Sequence, residues 1–340
     1  MIHVEKQKPL LQFVLFFLLF FILVFFIPKV VTGNPAIVLN DRLSTFATVF
    51  LGIFIEAAPF LFLGTLASGI IEVFLDRDAM VKIMPKNALA SALIGSSLGL
   101  IFPVCDCGVI PLTRRLFRKG FPIPAGIAFL LSAPVLNPIV IVSTATAFGI
   151  GRILFLRIGV SMAIAIITGL VFSAVKTPWE LLRPTPWITV EDVASHEPDH
   201  HDPFWEKMRQ SFLISTDEFF EIGRYLIIGS MIAAGMQTFI PQSALINIGK
   251  GPLLSVVIMV ALAIILSICS TVDAFVALGF ASVFSVGSIL AFLVFGPMVD
   301  IKSTLLLFRV FRKKTVMYLI LVPLLLSILA GLIINFYIPS

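Results

Sequence analysis

Glu56-Ala57-Ala58-Pro59-Phe60-Leu61-Phe62-Leu63-Gly64-Thr65 can be laid on Glu221-Ile222-Gly223-Arg224-Tyr225-Leu226-Ile227-Ile228-Gly229-Ser230 without a gap. Further along, Phe102-Pro103-Val104-Cys105 meets Leu266-Ser267-Ile268-Cys269, and Ala133-Pro134-Val135-Leu136-Asn137 meets Gly296-Pro297-Met298-Val299-Asp300, at an offset that drifts by only two residues. Apolar sequence of low complexity aligns easily by chance. Three matches in the same order nevertheless point to one structural unit present twice, after a leading segment.

Composition identifies the solvent of those units. Of 340 residues, 59% are hydrophobic and 13% charged, with 33 Phe and a mean hydropathy of +1.09. A soluble domain carries roughly 25% charged residues and must cover its core with polar side chains. A soluble globular enzyme is therefore excluded, and the lipid bilayer is the first partner. The net charge of +5 comes from a few short basic clusters that read as membrane anchors, so nucleic acid is not expected as a partner. Three cysteines cannot build a disulfide framework, so their chemistry is local.

Residues Leu10 to Ile27 form an unbroken apolar run flanked by Lys6, Lys8 and Lys29. At 1.5 Å per residue it spans roughly 27 Å, as a transmembrane helix does. The run is long for the core of a signal peptide and no small-x-small cleavage site follows, so an uncleaved anchor fits better. Further apolar segments cover 44–74, 88–104, 123–150, 153–175, 217–240, 252–287, 288–308 and 315–338. The expected organisation is an N-terminal helix and linker (1–43), repeat 1 (44–175), a cytoplasmic loop (176–216) and repeat 2 (217–340).

Charge placement orients the repeats. Arg114-Arg115-Leu116-Phe117-Arg118-Lys119 and Arg309-Val310-Phe311-Arg312-Lys313-Lys314 are the strongest basic runs, and short loops rich in Lys and Arg stay cytoplasmic. With the N-terminus inside, both runs reach the cytoplasm only if 88–113 dips into the membrane and returns, turning at Cys105-Asp106-Cys107-Gly108. Segments 123–150 and 153–175 then cross. In the second copy 252–287 dips from the outside, turning near Cys269-Ser270-Thr271, and the C-terminus ends outside. The predicted fold is an all-α integral membrane protein, an N-terminal helix plus two inverted repeats, each with a re-entrant helical hairpin. Secondary transporters recurrently use inverted repeats with broken helices at the midplane.

All three cysteines fall at the hairpin turns, Cys105 and Cys107 around Asp106, and Cys269 at the position equivalent to Cys105. Thiolates are soft ligands for Cu(I), Zn and similar ions, and trivalent arsenicals also prefer sulfur, which makes these cysteines candidate metal ligands. The plain alternative is three small buried hydrophobes. Charges in apolar segments default to a functional reading, which singles out Glu56, Glu221, Asp273 and Asp300, with Asn137 matching Asp300 beside Pro134 and Pro297. Asp106, Asn137 and Asp300 join the cysteines as solute-binding candidates, and Glu56, Glu221 and Asp273 are candidates for proton coupling or a polar network. The alternative for the acids is interior ion pairing, with Arg224 one turn from Glu221, and Arg157 or Lys302 in reach of another acid.

The stretch His196-Glu197-Pro198-Asp199-His200-His201-Asp202 could collect Zn or Cu, although two nearby prolines favour a solvated acidic loop. Neither a Walker sequence nor His-Glu-x-x-His is present, so the chain is read as a non-enzyme, and no cofactor is expected.

Pro103-Val104-Cys105-Asp106-Cys107-Gly108-Val109-Ile110-Pro111-Leu112, the following Arg114-Arg115, and Ser132-Ala133-Pro134-Val135-Leu136-Asn137-Pro138 resemble the signature of the bacterial predicted-permease family. This is the YraQ-like group, which includes ArsP-type organoarsenical efflux permeases and candidate Cu/Zn exporters. Cys269-Ser270-Thr271-Val272-Asp273-Ala274-Phe275 is similar to its second cysteine motif, and the likeness runs from about residue 44 to the C-terminus. The resemblance implies a multi-pass permease of the bacterial plasma membrane with functional cysteines at 105, 107 and 269. Some members carry Ser where this chain has Asp106, and an added carboxylate favours a cation over a neutral arsenical.

The leading expectation is a secondary transporter exporting a thiol-reactive solute, inorganic or organometallic, through a midplane site. A thiol-disulfide electron carrier using Cys105 and Cys269, and a permease for a small sulfur-containing anion, are the other readings. A homo-oligomer and an accessory subunit are both compatible with the sequence.

Overall fold

A backbone surrounded by lipid has to satisfy its own N–H and C=O groups, and the apolar runs of this chain fold as helices. The computed structural model describes residues 35–74, 84–85, 87–102, 104–175, 177–183, 204–239 and 251–337. The expected helix over Leu10–Ile27 and the stretch His196–Asp202 lie outside the described residues. The helices are α1 (Pro35–Phe74), α2 (Ala88–Leu98), α3 (Asp106–Arg118), α4 (Ile123–Leu136), α5 (Pro138–Phe148), α6 (Arg152–Val171), a single turn α7 (Pro178–Leu181), α8 (Phe204–Phe239), α9 (Pro252–Leu266), α10 (Asp273–Phe280), α11 (Val286–Met298), α12 (Ile301–Val310) and α13 (Lys313–Tyr337). Among the described residues the sole strand-like feature is one antiparallel bridge, Leu182 to Phe311.

Five stretches, Arg42–Phe74, Arg152–Ala174, Phe204–Thr238, Val286–Val310 and Lys313–Tyr337, are long and apolar enough to cross a bilayer, and α4 with α5, bent by 40°, makes a sixth. The last helix, α13, shows how a span divides its faces. Leu321, Leu325 and Leu329, four residues apart, are exposed, while Leu319, Pro323, Ser327 and Gly331 are buried. Period-four spacing puts each set on one side of the helix, one toward lipid and one toward protein. This is an all-α multi-pass membrane protein.

Among the described residues, α1 to α6 form one set of helices before the single turn α7, and α8 to α13 a second set after it. Within the first set α2, α4 and α6 pack on one another, and within the second α9, α11 and α13 do the same. Between the sets α3 packs on α12 and α5 on α10. Directions also follow from contacts. Helices α1 and α8 are antiparallel, since Phe74 at the end of α1 meets Phe204 at the start of α8 with ring centroids 5.8 Å apart.

Helix α2 runs alongside α4, with Gly95 against Ala125 and Gly99 against Ala133. A break between Leu98 and Asp106 then leads into α3. Likewise α9 runs alongside α11, with Ser255 and Ser288 hydroxyls 2.7 Å apart and Ala263 against Gly296, before the break that leads into α10.

Both basic runs lie at one end of the molecule. Phe117 and Phe311 meet edge to face at 6.4 Å, and the Leu182–Phe311 bridge closes over them, with the Arg312 N–H donating to the Leu181 carbonyl at 2.8 Å. Arg115 lies 3.3 Å from Glu72 and 3.5 Å from Glu218, and Arg309 lies 3.0 Å from Glu221 and over the Tyr225 ring. Acids near the end of α1 and in the first half of α8 thus neutralise arginines that close α3 and α12.

Three features differ from the sequence expectation. The crossing expected over 123–150 is broken at Asn137, whose extended backbone (φ −57, ψ 132) is the conformation a following proline demands. The return expected over 288–308 is broken at Val299–Asp300, both extended. Helix α8 starts at Phe204 instead of 217, because Phe204, Trp205, Met208 and Phe212 extend an exposed apolar side of the helix, with Glu206, Lys207 and Arg209 interspersed.

Candidate solute site at the helix breaks

The α2–α3 break carries the paired cysteines. Cys105 caps α3: its Sγ accepts the Gly108 N–H at 3.3 Å, one of the donors that a helix start leaves free. The Cys107 thiol donates to Asp106 Oδ2 at 3.9 Å, and all three side chains are buried. The break is held against α1 by two glycines. Gly64 faces Gly108, and a Cβ on Gly108 would lie 3.0 Å from the Gly64 Cα, so the backbones approach as only glycine allows.

The α9–α10 break carries Cys269. Helix α9 ends at Ser267, which is left-handed (φ 45, ψ 43) and, among the described residues, is the one non-glycine with positive φ. Such a conformation is strained for a residue with a Cβ and persists where its surroundings enforce it. Here the Ser267 hydroxyl donates to Asp300 Oδ2 at 2.7 Å, and the Gln237 amide on α8 donates to the carbonyl of Leu266. Two residues beyond Cys269, the Thr271 hydroxyl lies 3.6 Å from Cys269 Sγ and 3.0 Å from Glu56 Oε1.

The α11–α12 break supplies Asp300. Its Oδ1 accepts the Ser303 N–H at 2.6 Å, and Ser303 Oγ accepts the Asp300 N–H at 3.0 Å, a reciprocal cap that starts α12. Lys302 Nζ lies 3.4 Å from Asp300 Oδ2, with both side chains almost fully enclosed. Gly229 on α8 lies against the Lys302 backbone. The Ser267–Asp300 bond joins the α9–α10 break to this one, and α3 packs on α12 so that Asp106 and Ser303 line one cavity. Three breaks far apart in sequence therefore converge. Beside them is a small, mostly apolar cavity, with room for about one water, lined by Asp106 and Ser303 among aliphatic side chains such as Ile110, Leu131, Leu307 and Leu319.

Of the sequence candidates, Cys105, Asp106, Cys107, Cys269 and Asp300 share this cluster, and Glu56 joins it through Thr271. Asn137 is buried and caps α5, accepting the Ile139 N–H at 3.0 Å. Asp273 lies in a separate buried pair, bidentate with Arg157 at 3.1 and 2.6 Å, with Thr144 2.8 Å from the same guanidinium. Glu221 pairs with Arg309 at the basic end; its close sequence neighbour Arg224 is exposed. Glu56 meets Thr271 whereas Glu221 meets Arg309, so the two acids that align in sequence have different surroundings. Sequence reasoning met Lys302 only as an ion-pair partner and passed over Ser267 and Thr271. A lysine within an apolar run was the available signal.

The three thiols are free, and among the described residues no three His, Cys, Asp or Glu side chains form a group able to hold a metal ion. Thiols, carboxylates and an ammonium are gathered instead into a mixed cluster without a closed cage.

Residues 42–336 match the family model ArsP_1, described as a predicted permease. The chain belongs to this predicted-permease family. The permease is 43% identical over 285 residues to the UPF0718 protein YcgR of Bacillus subtilis, covering 84% of this chain and 94% of that one. It is 38% identical over 270 residues to a Streptococcus mutans protein named as a candidate two-component membrane permease complex subunit, covering 79% and 88%. A shorter match, 26% identical over 89 residues and 26% of each chain, is to the UPF0718 protein YraQ of Escherichia coli. No solved structure matches the permease. Family and fold together make it a membrane transporter.

Proposed function

We propose that the permease is a secondary transporter exporting a thiol-reactive solute, a soft metal ion or a trivalent arsenical, through the cluster of Cys105, Asp106, Cys107, Cys269 and Asp300. The observation that carries this reading is the meeting of three helix breaks, two joined by the Ser267–Asp300 bond and two facing one small cavity. Non-helical backbone at membrane depth is tolerated where protein shelters it or where it lines a path. A carrier also needs a site that binds and lets go, and an open mixed cluster suits that better than a closed metal cage.

The reverse directions of α1 and α8, and the helix breaks after α2 and α9, support an inverted repeat with one hairpin entering from each side. On that reading the basic end is cytoplasmic, the N-terminus inside and the C-terminus outside the plasma membrane. Asn137, Glu56 and Asp273 would then steady the moving breaks, and Glu221 the cytoplasmic end. The Streptococcus mutans relative's name suggests that this chain, too, works with a second subunit.

The test is transport in sealed vesicles with silver, zinc, arsenite, methylarsenite and a sulfur anion, comparing the parent with Cys105→Ser, Cys107→Ser, Cys269→Ser and the triple variant. Each single change should weaken transport of the true solute by roughly tenfold, about 1.4 kcal/mol. A triple variant that transports like the parent overturns the reading. Loss in Cys105→Ser and Cys269→Ser with Cys107→Ser spared would point to thiol-disulfide electron transfer instead.

A further inference from the structure

Lys302 is a charged side chain that the thiol-site reading leaves without a task. It is 2% exposed, and its ammonium lies 3.4 Å from Asp300 and within electrostatic reach of Asp106, Cys107 and Cys269. Burying an ammonium in a membrane protein is costly. A buried ion pair rarely repays its desolvation, and apolar side chains of similar volume would fill the space at least as well. The lysine stem is flexible and its head is a compact point charge, so it can leave one partner for another. Its backbone, in contrast, is pinned against Gly229 of α8. The surroundings include two carboxylates from separate breaks, which is what a positive charge would choose.

We propose that Lys302 is the resting counter-ion of the solute site, a tethered ammonium that a positively charged solute displaces from Asp300 and Asp106. The inference rests on the proposed transport site and narrows its solute to a cation. A solute cation and the Lys302 ammonium repel each other across a few ångströms in a poorly screened interior, so they hold the carboxylates in turn. When the solute leaves, Lys302 returns, and the empty carrier does not move with unpaired buried carboxylates. A neutral arsenical would bind the thiols without disturbing this pair.

The experiment uses the purified full chain in detergent, with silver ion alone as the cationic probe and methylarsenite as the neutral one. Parent, Lys302→Gln and Lys302→Arg are compared, each checked by thermal unfolding. A resident competitor that occupies the site about nine-tenths of the time weakens apparent affinity about tenfold. Lys302→Gln should therefore bind silver about tenfold more tightly while its methylarsenite affinity stays near parental, and Lys302→Arg should restore the weaker silver binding. In Lys302→Ala, millimolar ethylammonium should compete with silver, an effect that a purely structural lysine would not predict. Should the neutral variants fail to fold, amine-selective labelling of the parent gives the second measurement: silver loading should speed modification of Lys302.

Unchanged or weaker silver binding in a folded Lys302→Gln overturns the proposal, as does a labelling rate indifferent to silver. If the parent binds both probes through its cysteines and only the Lys302 results fail, the transport site stands and the counter-ion role falls. If cysteine replacement leaves both probes bound as before, the thiol site itself is wrong.

Discussion

The Ser267 hydroxyl donates a 2.7 Å hydrogen bond to the Asp300 carboxylate, joining two helix breaks that lie 33 residues apart. One end of the bond sits on a left-handed backbone and the other on a residue that already caps α12 and pairs with Lys302. The bond couples the tip of the second hairpin to the break in the helix beside it, so movement of one is felt by the other.

Ser267→Ala removes this bond and leaves a buried carboxylate short of a donor. A hydrogen bond to a charged group contributes about 1.5–3 kcal/mol. The variant should unfold at lower temperature in detergent and transport several-fold more slowly. Ser267→Gly loses the same bond but relaxes the positive φ, and should be the milder of the two in the melting curve.

Arg157 and Asp273 form another buried pair, tying α6 to α10 through a bidentate contact. Removing one partner strands the other charge, which typically costs about 3–5 kcal/mol. Asp273→Leu and Arg157→Met should each destabilise strongly. The double variant should be more stable than either single one, because the stranded charge disappears. Thermal melts of the four proteins read this as a double-mutant cycle, and simple additivity would contradict it.

Gly64 and Gly52 lie on the same helix in different settings. A Cβ at 64 runs into the backbone of Gly108, whereas one at 52 meets nothing within 4 Å. Gly64→Ala should push α1 away from the Cys105–Gly108 turn, with an overpacking cost of about 1–3 kcal/mol and loss of transport. Gly52→Ala should leave both near the parental values.

The shared end of the two basic runs predicts labelling. In a chain whose native cysteines are replaced by Ser, single cysteines introduced by Arg118→Cys and Arg312→Cys should react with a membrane-impermeant thiol reagent from the same side of the membrane. The expected side is the cytoplasmic one, visible only after permeabilisation. Reaction of one from outside and the other from inside would contradict the contact between Phe117 and Phe311.

Much of the architecture was legible because membrane helices announce themselves by length and apolarity, and because basic runs mark one side. A break close to Cys105 was readable from the conflict between charge placement and the number of crossings, but it falls between Leu98 and Cys105, and Asp106 to Gly108, expected in the turn, already belong to α3. The breaks at Asn137 and Asp300 were less so. Asn137-Pro138 carries a local signal in its proline, but Val299-Asp300 carries none beyond the acid itself, and a cap is recognised only when its helix direction is known. The role of Glu221 was misleading for a related reason: matching Glu56 in sequence did not give it matching neighbours, since α1 packs on α3 while α8 packs on α12.

Composition and period alone determined that this chain is a bundle of membrane helices and which of its stretches are apolar enough to cross. These are properties of single segments against lipid, and each segment carries them wherever it is placed. Only the tertiary structure decided that Lys302 stands among Asp106, Asp300 and the thiols, that Ser267 reaches Asp300, and that Arg157 claims Asp273. Those pairings depend on which breaks the packing brings together, and partners for buried charges are chosen by distance in space, which sequence spacing does not encode.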